Sequence, residues 1–127
     1  MIEIEVKGKP KAWANNEKGE EVKWREMIRD KIRKDLEEGK YTKIKKNTKL
    51  KIEVIFYLNG KRIDNSDLDN LAKPVMDTIC QIRQSHFKDK SLIGNLSEDD
   101  DGKVFELILK KEERETEGAL IRVWELS

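Results

Sequence analysis

Residues 50–60 read L-K-I-E-V-I-F-Y-L-N-G. Leu50, Ile52, Val54, Phe56 and Leu58 alternate strictly, which is the two-residue period of a strand with one face on a core. Ile55 and Tyr57 make the other face apolar too, so the strand is expected at the centre of a sheet and covered on both sides at its end. Asn59-Gly60 is a turn pair and closes it.

Working outward, the N-terminal side supplies a helix and a strand. From Glu20 to Glu38 the apolar positions Trp24, Met27, Ile28, Ile32 and Leu36 fall at helical spacing, and Gly39 stands where helices commonly stop. Before it, Ile2, Ile4 and Val6 alternate with polar residues as in a half-buried strand. On the C-terminal side a second helix is expected from about Asp69 to Gln84, burying Leu71, Val75, Met76, Ile79 and Ile82. Pro74 lies about one turn inside and predicts an irregular first turn or a kink. Residues 85–97 have no period and read as a loop. Strands at Val104–Lys110 and Ala119–Leu126 close the chain, and the charged stretch Lys111–Gly118 reads as an exposed hairpin loop between them. The order β-α-β-α-β-β implies one α/β domain over residues 1–127, a mixed four-stranded sheet with helices packed on it.

Composition narrows the class. A chain of 127 residues suits one core that needs no staples. Cys80 is the single cysteine, so no intrachain disulfide forms; it reads as a small buried hydrophobe on the second helix, in a protein of a reducing compartment. No apolar run is long enough to span a bilayer, and Met1-Ile2-Glu3-Ile4-Glu5 lacks the basic and apolar regions of a signal peptide, so a cytoplasmic protein with no membrane partner is expected. With 27 basic and 26 acidic residues the net charge is +1, so any grip on a polyanion must come from local clusters. Lys43, Lys45, Lys46, Lys49 and Lys51 form the densest, and Lys31, Arg33 and Lys34 another, although in a chain 42% charged any one lysine is more often plain solvated surface.

The chemistry sits in two acidic blocks. Residues 67–77 read D-L-D-N-L-A-K-P-V-M-D, and Glu98, Asp99, Asp100 and Asp101 precede Gly102, Lys103 and Val104. Asp67 and Asp69 converge on one cation only where the backbone is not yet helical, since residues two apart share a side in extended chain. Asp69, Lys73 and Asp77 then follow at i, i+4 and i+8, one stripe of a helix. Asp69 and Asn70 are both good N-cap types, and carboxylates gain from a helix N-terminal dipole. Close acids with a lysine on the same face suit a hard divalent cation beside a phosphodiester. Taken alone, D-x-D is weak, and solvated surface is its bland alternative.

These residues also resemble a known family. Asp67-Leu68-Asp69-Asn70-Leu71 with Lys73 and Asp77, followed by Asp100-Asp101-Gly102-Lys103-Val104, looks like the paired signature of the RusA family of Holliday junction resolvases, D-x-D-N-x-x-K-x-x-x-D and then D-D-x-x-V. The match covers the central and C-terminal parts of the chain. The resemblance implies a homodimeric, magnesium-dependent endonuclease making paired cuts in four-way DNA, with Asp67, Asp69 and Asp101 as catalytic metal-binding carboxylates and Lys73 as a catalytic cation. The connection from Arg83 to Asp99 is longer than is usual between the two blocks, so Asp100, Asp99 or Glu98 stands as the alternative third carboxylate. Residues 8–19 carry Lys9, Lys11 and Lys18 where relatives tend to carry arginines.

With those roles, the carboxylates would ligate Mg2+, or Mn2+ in its place, and Lys73 would stabilise charge on the phosphate. Asp77 would support Lys73 through an i, i+4 pair, with Asn70 also in a supporting position. Lys9, Lys11, Lys43, Lys45, Lys46 and Trp13 are the candidate DNA contacts, Trp13 because Trp24 and Trp124 fall on core periodicity. His86 is the sole histidine, so zinc and Ser-His-Asp chemistry lack partners. A calcium loop at 97–108 fails because Ser97 and Ile108 occupy its first and twelfth places. The expected function is a structure-selective endodeoxyribonuclease acting on branched DNA in recombination and repair. The alternative is a non-catalytic dimeric nucleic-acid-binding module of the same fold.

Overall fold

The computed structural model describes residues 1–12, 18–80 and 96–126, and its elements are β1 (Ile2–Lys7), α1 (Lys18–Glu37), β2 (Lys49–Leu58), α2 (Arg62–Asn65), α3 (Leu68–Ile79), β3 (Val104–Glu113) and β4 (Gly118–Leu126). The strands form one mixed sheet in the order β1-β4-β2-β3, with β2 parallel to β3 and antiparallel to β4. The alternation in β2 is realised in full: Leu50, Ile52, Val54, Phe56 and Leu58 are all 0% exposed. They share a face with Ile4, Val6, Ala119, Ile121 and Val123, and α1 and α3 cover it with Trp24, Ile28, Ile32, Leu71, Val75 and Ile79. Each buried Val, Leu, Ile or Phe among them contributes about 1.5–3 kcal/mol of transfer free energy.

The end of α1 follows from Gly39, whose φ of +73° suits a residue without a Cβ. Lys40 N donates to Asp35 O and Gly39 N to Leu36 O, so the last carbonyls are satisfied as the chain turns away.

Several expectations are corrected. The expected hairpin loop at Lys111–Gly118 is exposed only as far as Thr116 and is not a hairpin loop, because β3 runs on to Glu113 and lies on the other side of β2 from β4. The connection crosses the end of β2 instead: Arg114 N donates to Leu58 O, and the Arg114 guanidinium lies 3.8 Å from the Tyr57 ring centre. Both edges of β2 are thereby paired, which satisfies its backbone N–H and C=O groups on each side. The second helix starts at Leu68, with Asp67 as its extended N-cap residue, and ends at Ile79, where Cys80 is extended. Ser97 N caps that end by donating to Ile79 O. The expected continuation to Gln84, with Ile82, lies outside the described residues. The helix runs unbroken through Pro74; the carbonyl that loses its donor belongs to exposed Asn70, while buried Leu71, Val75, Met76 and Ile79 hold the helix down. Most of the expected loop at 85–97 is likewise outside the described residues.

Trp124 is not a core residue. It sits on the sheet face away from the helices, opposite Lys51, whose ammonium lies 5.0 Å from its ring. A chain of ion pairs crosses all four strands on that face: Glu3 to Arg122 at 3.0 Å, Arg122 to Glu53 at 2.9 Å, and Glu53 to Lys110 at 3.2 Å. Cys80 is buried as expected, and burial pushes its thiol up to about 12, so it is inert at neutral pH.

Candidate metal and phosphate site

The first acidic block is arranged along α3. Asp67 holds φ −87° and ψ 128°, its carbonyl accepts from Leu71 N at 3.0 Å, and its side chain makes no capping hydrogen bond. Asp67 and Asp69 are both exposed, so two carboxylates project at the positive end of a helix without being consumed by the backbone. Asn70 and Lys73 are exposed on the turns that follow, and Asp77 is half-buried one turn further on.

Asp77 has a different partner from the one its spacing implies. Arg25, on α1 and only 1% exposed, places Nη2 2.7 Å from Asp77 Oδ2 and Nε 3.2 Å from Glu21 Oε1. Lys73 acts on Asp77 through its field. Burial pushes the Asp77 carboxyl above its ordinary value; Arg25 and Lys73 pull it down, and Asp101 pushes it up. Burial also raises Glu21, opposed by Arg25 and Lys73. A network of two acids and two cations thus joins α1 to the α3 stripe. Arg25 went unread because it is one charge among many, yet it lies beside Trp24 and Ile28 in the inward stripe of α1.

The second block meets the other end of α3. Ser97 bonds Ile79, and Asp99, Asp100 and Asp101 all act electrostatically on Cys80. Asp99 Oδ2 accepts from Asn47 N at 2.5 Å and Asp100 Oδ1 from Gly102 N at 2.8 Å, the latter starting a 3₁₀ turn at Asp101–Lys103. Because β2 and β3 are parallel, the entry of β3 lies beside the entry of β2, away from the exit that leads to Asp67. The exit of β2 and the entry of β3 are therefore not neighbours. Among the described residues no group of three or more acidic, histidine or cysteine side chains is gathered to hold a metal.

Magnesium is nonetheless compatible with what Asp67 and Asp69 offer, since it keeps several waters and is often bound by one or two carboxylates with substrate phosphates. Asp100 and Asp101 stand apart as a further acidic pair on an exposed turn.

Lysines flank both ends of this stripe. Exposed Lys43, Lys45 and Lys46 belong to the loop that bridges Ile44 to Ser97 and Asn47 to Asp99, beside the second acidic block. Lys9 and Lys11 follow β1 at the opposite end of the sheet, where Arg62 of α2 bonds Pro10 O, and Lys11 pairs with Glu20 at 2.9 Å. Between them lies α3, roughly 18 Å at 1.5 Å per residue. Trp13 and His86 lie outside the described residues. No helix is long and apolar enough to cross a membrane among the described residues. Set against known proteins, the chain matches no family model and no curated sequence.

Proposed function

We propose that this chain is a magnesium-dependent, structure-selective endodeoxyribonuclease that cuts four-way DNA junctions in pairs, as a cytoplasmic homodimer serving recombination and repair. The observation that carries the reading is the pair of exposed carboxylates at the head of α3, Asp67 and Asp69, with Lys73 one turn on in the same stripe. In this reading Asp67 and Asp69 hold Mg2+ or Mn2+ together with waters and a substrate phosphate, while Asp101, or its neighbour Asp100, serves the reaction from the other end of α3 without sharing that ion. A bound divalent ion supplies an acidified water and neutralises charge on the phosphate. Lys73 holds the phosphate and offsets its developing charge, while Asn70 hydrogen-bonds the same region. The lysines at both ends of α3 support a DNA strand laid along the helix, because phosphate contacts fix orientation without reading sequence. A two-fold dimer would present two such sites to a two-fold junction.

The absence of a three-carboxylate group among the described residues favours one second reading, a dimeric module that binds branched DNA without cutting it. Cleavage of a four-way junction and of linear duplex of the same sequence, each with Mg2+, Mn2+ or chelator, separates the two. Paired, metal-dependent cuts confined to the junction support the nuclease. Tight junction binding without cleavage under either metal supports the module and sinks the nuclease.

A further inference from the structure

We propose that Lys111 is a positioning residue that sets the direction of the Asp67 carboxylate. The inference rests on the reading of Asp67 and Asp69 as a metal pair. In the parallel register Lys111 stands opposite Phe56, so it leaves β3 on the helix-covered face of the sheet. A lysine at such a position is expected to snorkel away. Instead its ammonium donates to two backbone carbonyls, Ile63 O at 2.5 Å and Ser66 O at 3.0 Å.

Those carbonyls belong to the segment that delivers Asp67. The helix α2 has four residues, none of them buried, and is too short to hold itself. Its last carbonyls are without helical partners, and a cation at a helix C-terminus is favourable. The Ser66 carbonyl is part of the peptide plane joining Ser66 to Asp67, so fixing it fixes the N–Cα axis from which the Asp67 side chain leaves at its φ of −87°. The helix cap fixes only the far side of Asp67, through its carbonyl to Leu71 N, because the Asp67 carboxylate makes no capping bond. The front of α2 is fastened separately, by Arg62 to Glu117 and to Pro10 O. Lys111 holds the rear.

Lys111 is exposed, so its replacement leaves no cavity in the core. The test compares Lys111→Met, Lys111→Arg and, as a control for loss of one cation, Lys110→Met. Mn2+ binding is read by electron paramagnetic resonance, junction cleavage against Mg2+ concentration, and amide exchange over residues 64–71. Lys111→Met should weaken Mn2+ binding and raise the half-saturating Mg2+ about tenfold, the lower end for an outer partner of a metal ligand. Its rate at saturating Mg2+ should stay within about twofold of wild type, Lys111→Arg should recover most of the affinity, and Lys110→Met should not change it. Wild-type Mn2+ affinity in Lys111→Met overturns the proposal. If the wild-type protein binds no Mn2+, or binds it equally well after Asp67→Asn, the metal reading itself fails. Exchange then decides the tether alone: faster exchange confined to residues 64–71 in Lys111→Met supports it, and unchanged exchange overturns it.

Discussion

Arg25 and Asp77 meet at 2.7 Å across the seam between α1 and α3, a buried guanidinium against a half-buried carboxylate, with Glu21 on the other side of the cation. Removing one member of such a group leaves the others buried and uncompensated. Arg25→Met is therefore expected to destabilise the fold by about 3 kcal/mol in chemical denaturation, and Asp77→Asn in the same chain should recover part of the loss. The pH dependence has a definite sign. Asp77 and Glu21 bind protons more readily folded than unfolded, because burial raises both and Arg25 restrains them. Without Arg25 they rise further, so the deficit of Arg25→Met should shrink as pH falls from about 7 to about 5. A deficit that grows on acidification would contradict this.

If Asp67, Asp69 and Asp101 serve one reaction, Asp→Asn at each should lower junction cleavage by about a hundredfold or more while thermal melting is unchanged. Junction binding should hold or improve, since a negative charge is lost beside phosphate. Asp101 is the discriminating position, because it stands by Asp77 and Cys80. Full cleavage by Asp101→Asn would remove it from the reaction and leave Asp67 and Asp69 as the metal pair.

Lys43, Lys45 and Lys46 are exposed on one loop beside the second acidic block. Replacing all three by alanine should weaken junction binding and reduce the slope of log affinity against log salt by up to about 3, since each lysine that neutralises a phosphate adds nearly one to it. An unchanged slope in a titration from low to moderate salt would assign these lysines to plain solvated surface.

Gly118 opens β4 opposite Lys7, and a Cβ there would run into the Val6 carbonyl. Gly118→Ala should therefore cost about 1–3 kcal/mol by forcing β1 away from β4. Wild-type stability by calorimetry would mean the β1–β4 pair can yield without loss.

The parts of the fold that were legible are those written in local period. The alternation of β2, the apolar stripe of α1 and the stop at Gly39 all rest on side-chain spacing within one element. The pairing of β2 with both β3 and β4 depends on contacts far apart in sequence, which no period records, and so a hairpin was the natural but mistaken expectation. Trp124 misled because β4 is apolar on both faces, and α2 was missed because four residues carry no helical repeat. For the site, residue spacing led to the stripe of Asp69, Lys73 and Asp77 on one helix, but Arg25 and Lys111 act through the tertiary fold.

The position of β4 has a consequence for how the chain assembles. It is the strand furthest along the sequence, yet it lies between β1 and β2 and bonds to both. During synthesis β1 therefore has no sheet neighbour among the described residues until residues 118–126 arrive, and the early strands wait as separate pieces with α1 between them in sequence. Closure by such distant segments favours slow, all-or-none folding over stepwise growth from the N-terminus. A nascent chain stalled before Gly118 would expose the apolar side of β1 and one whole edge of β2, the surfaces that a holding chaperone would meet.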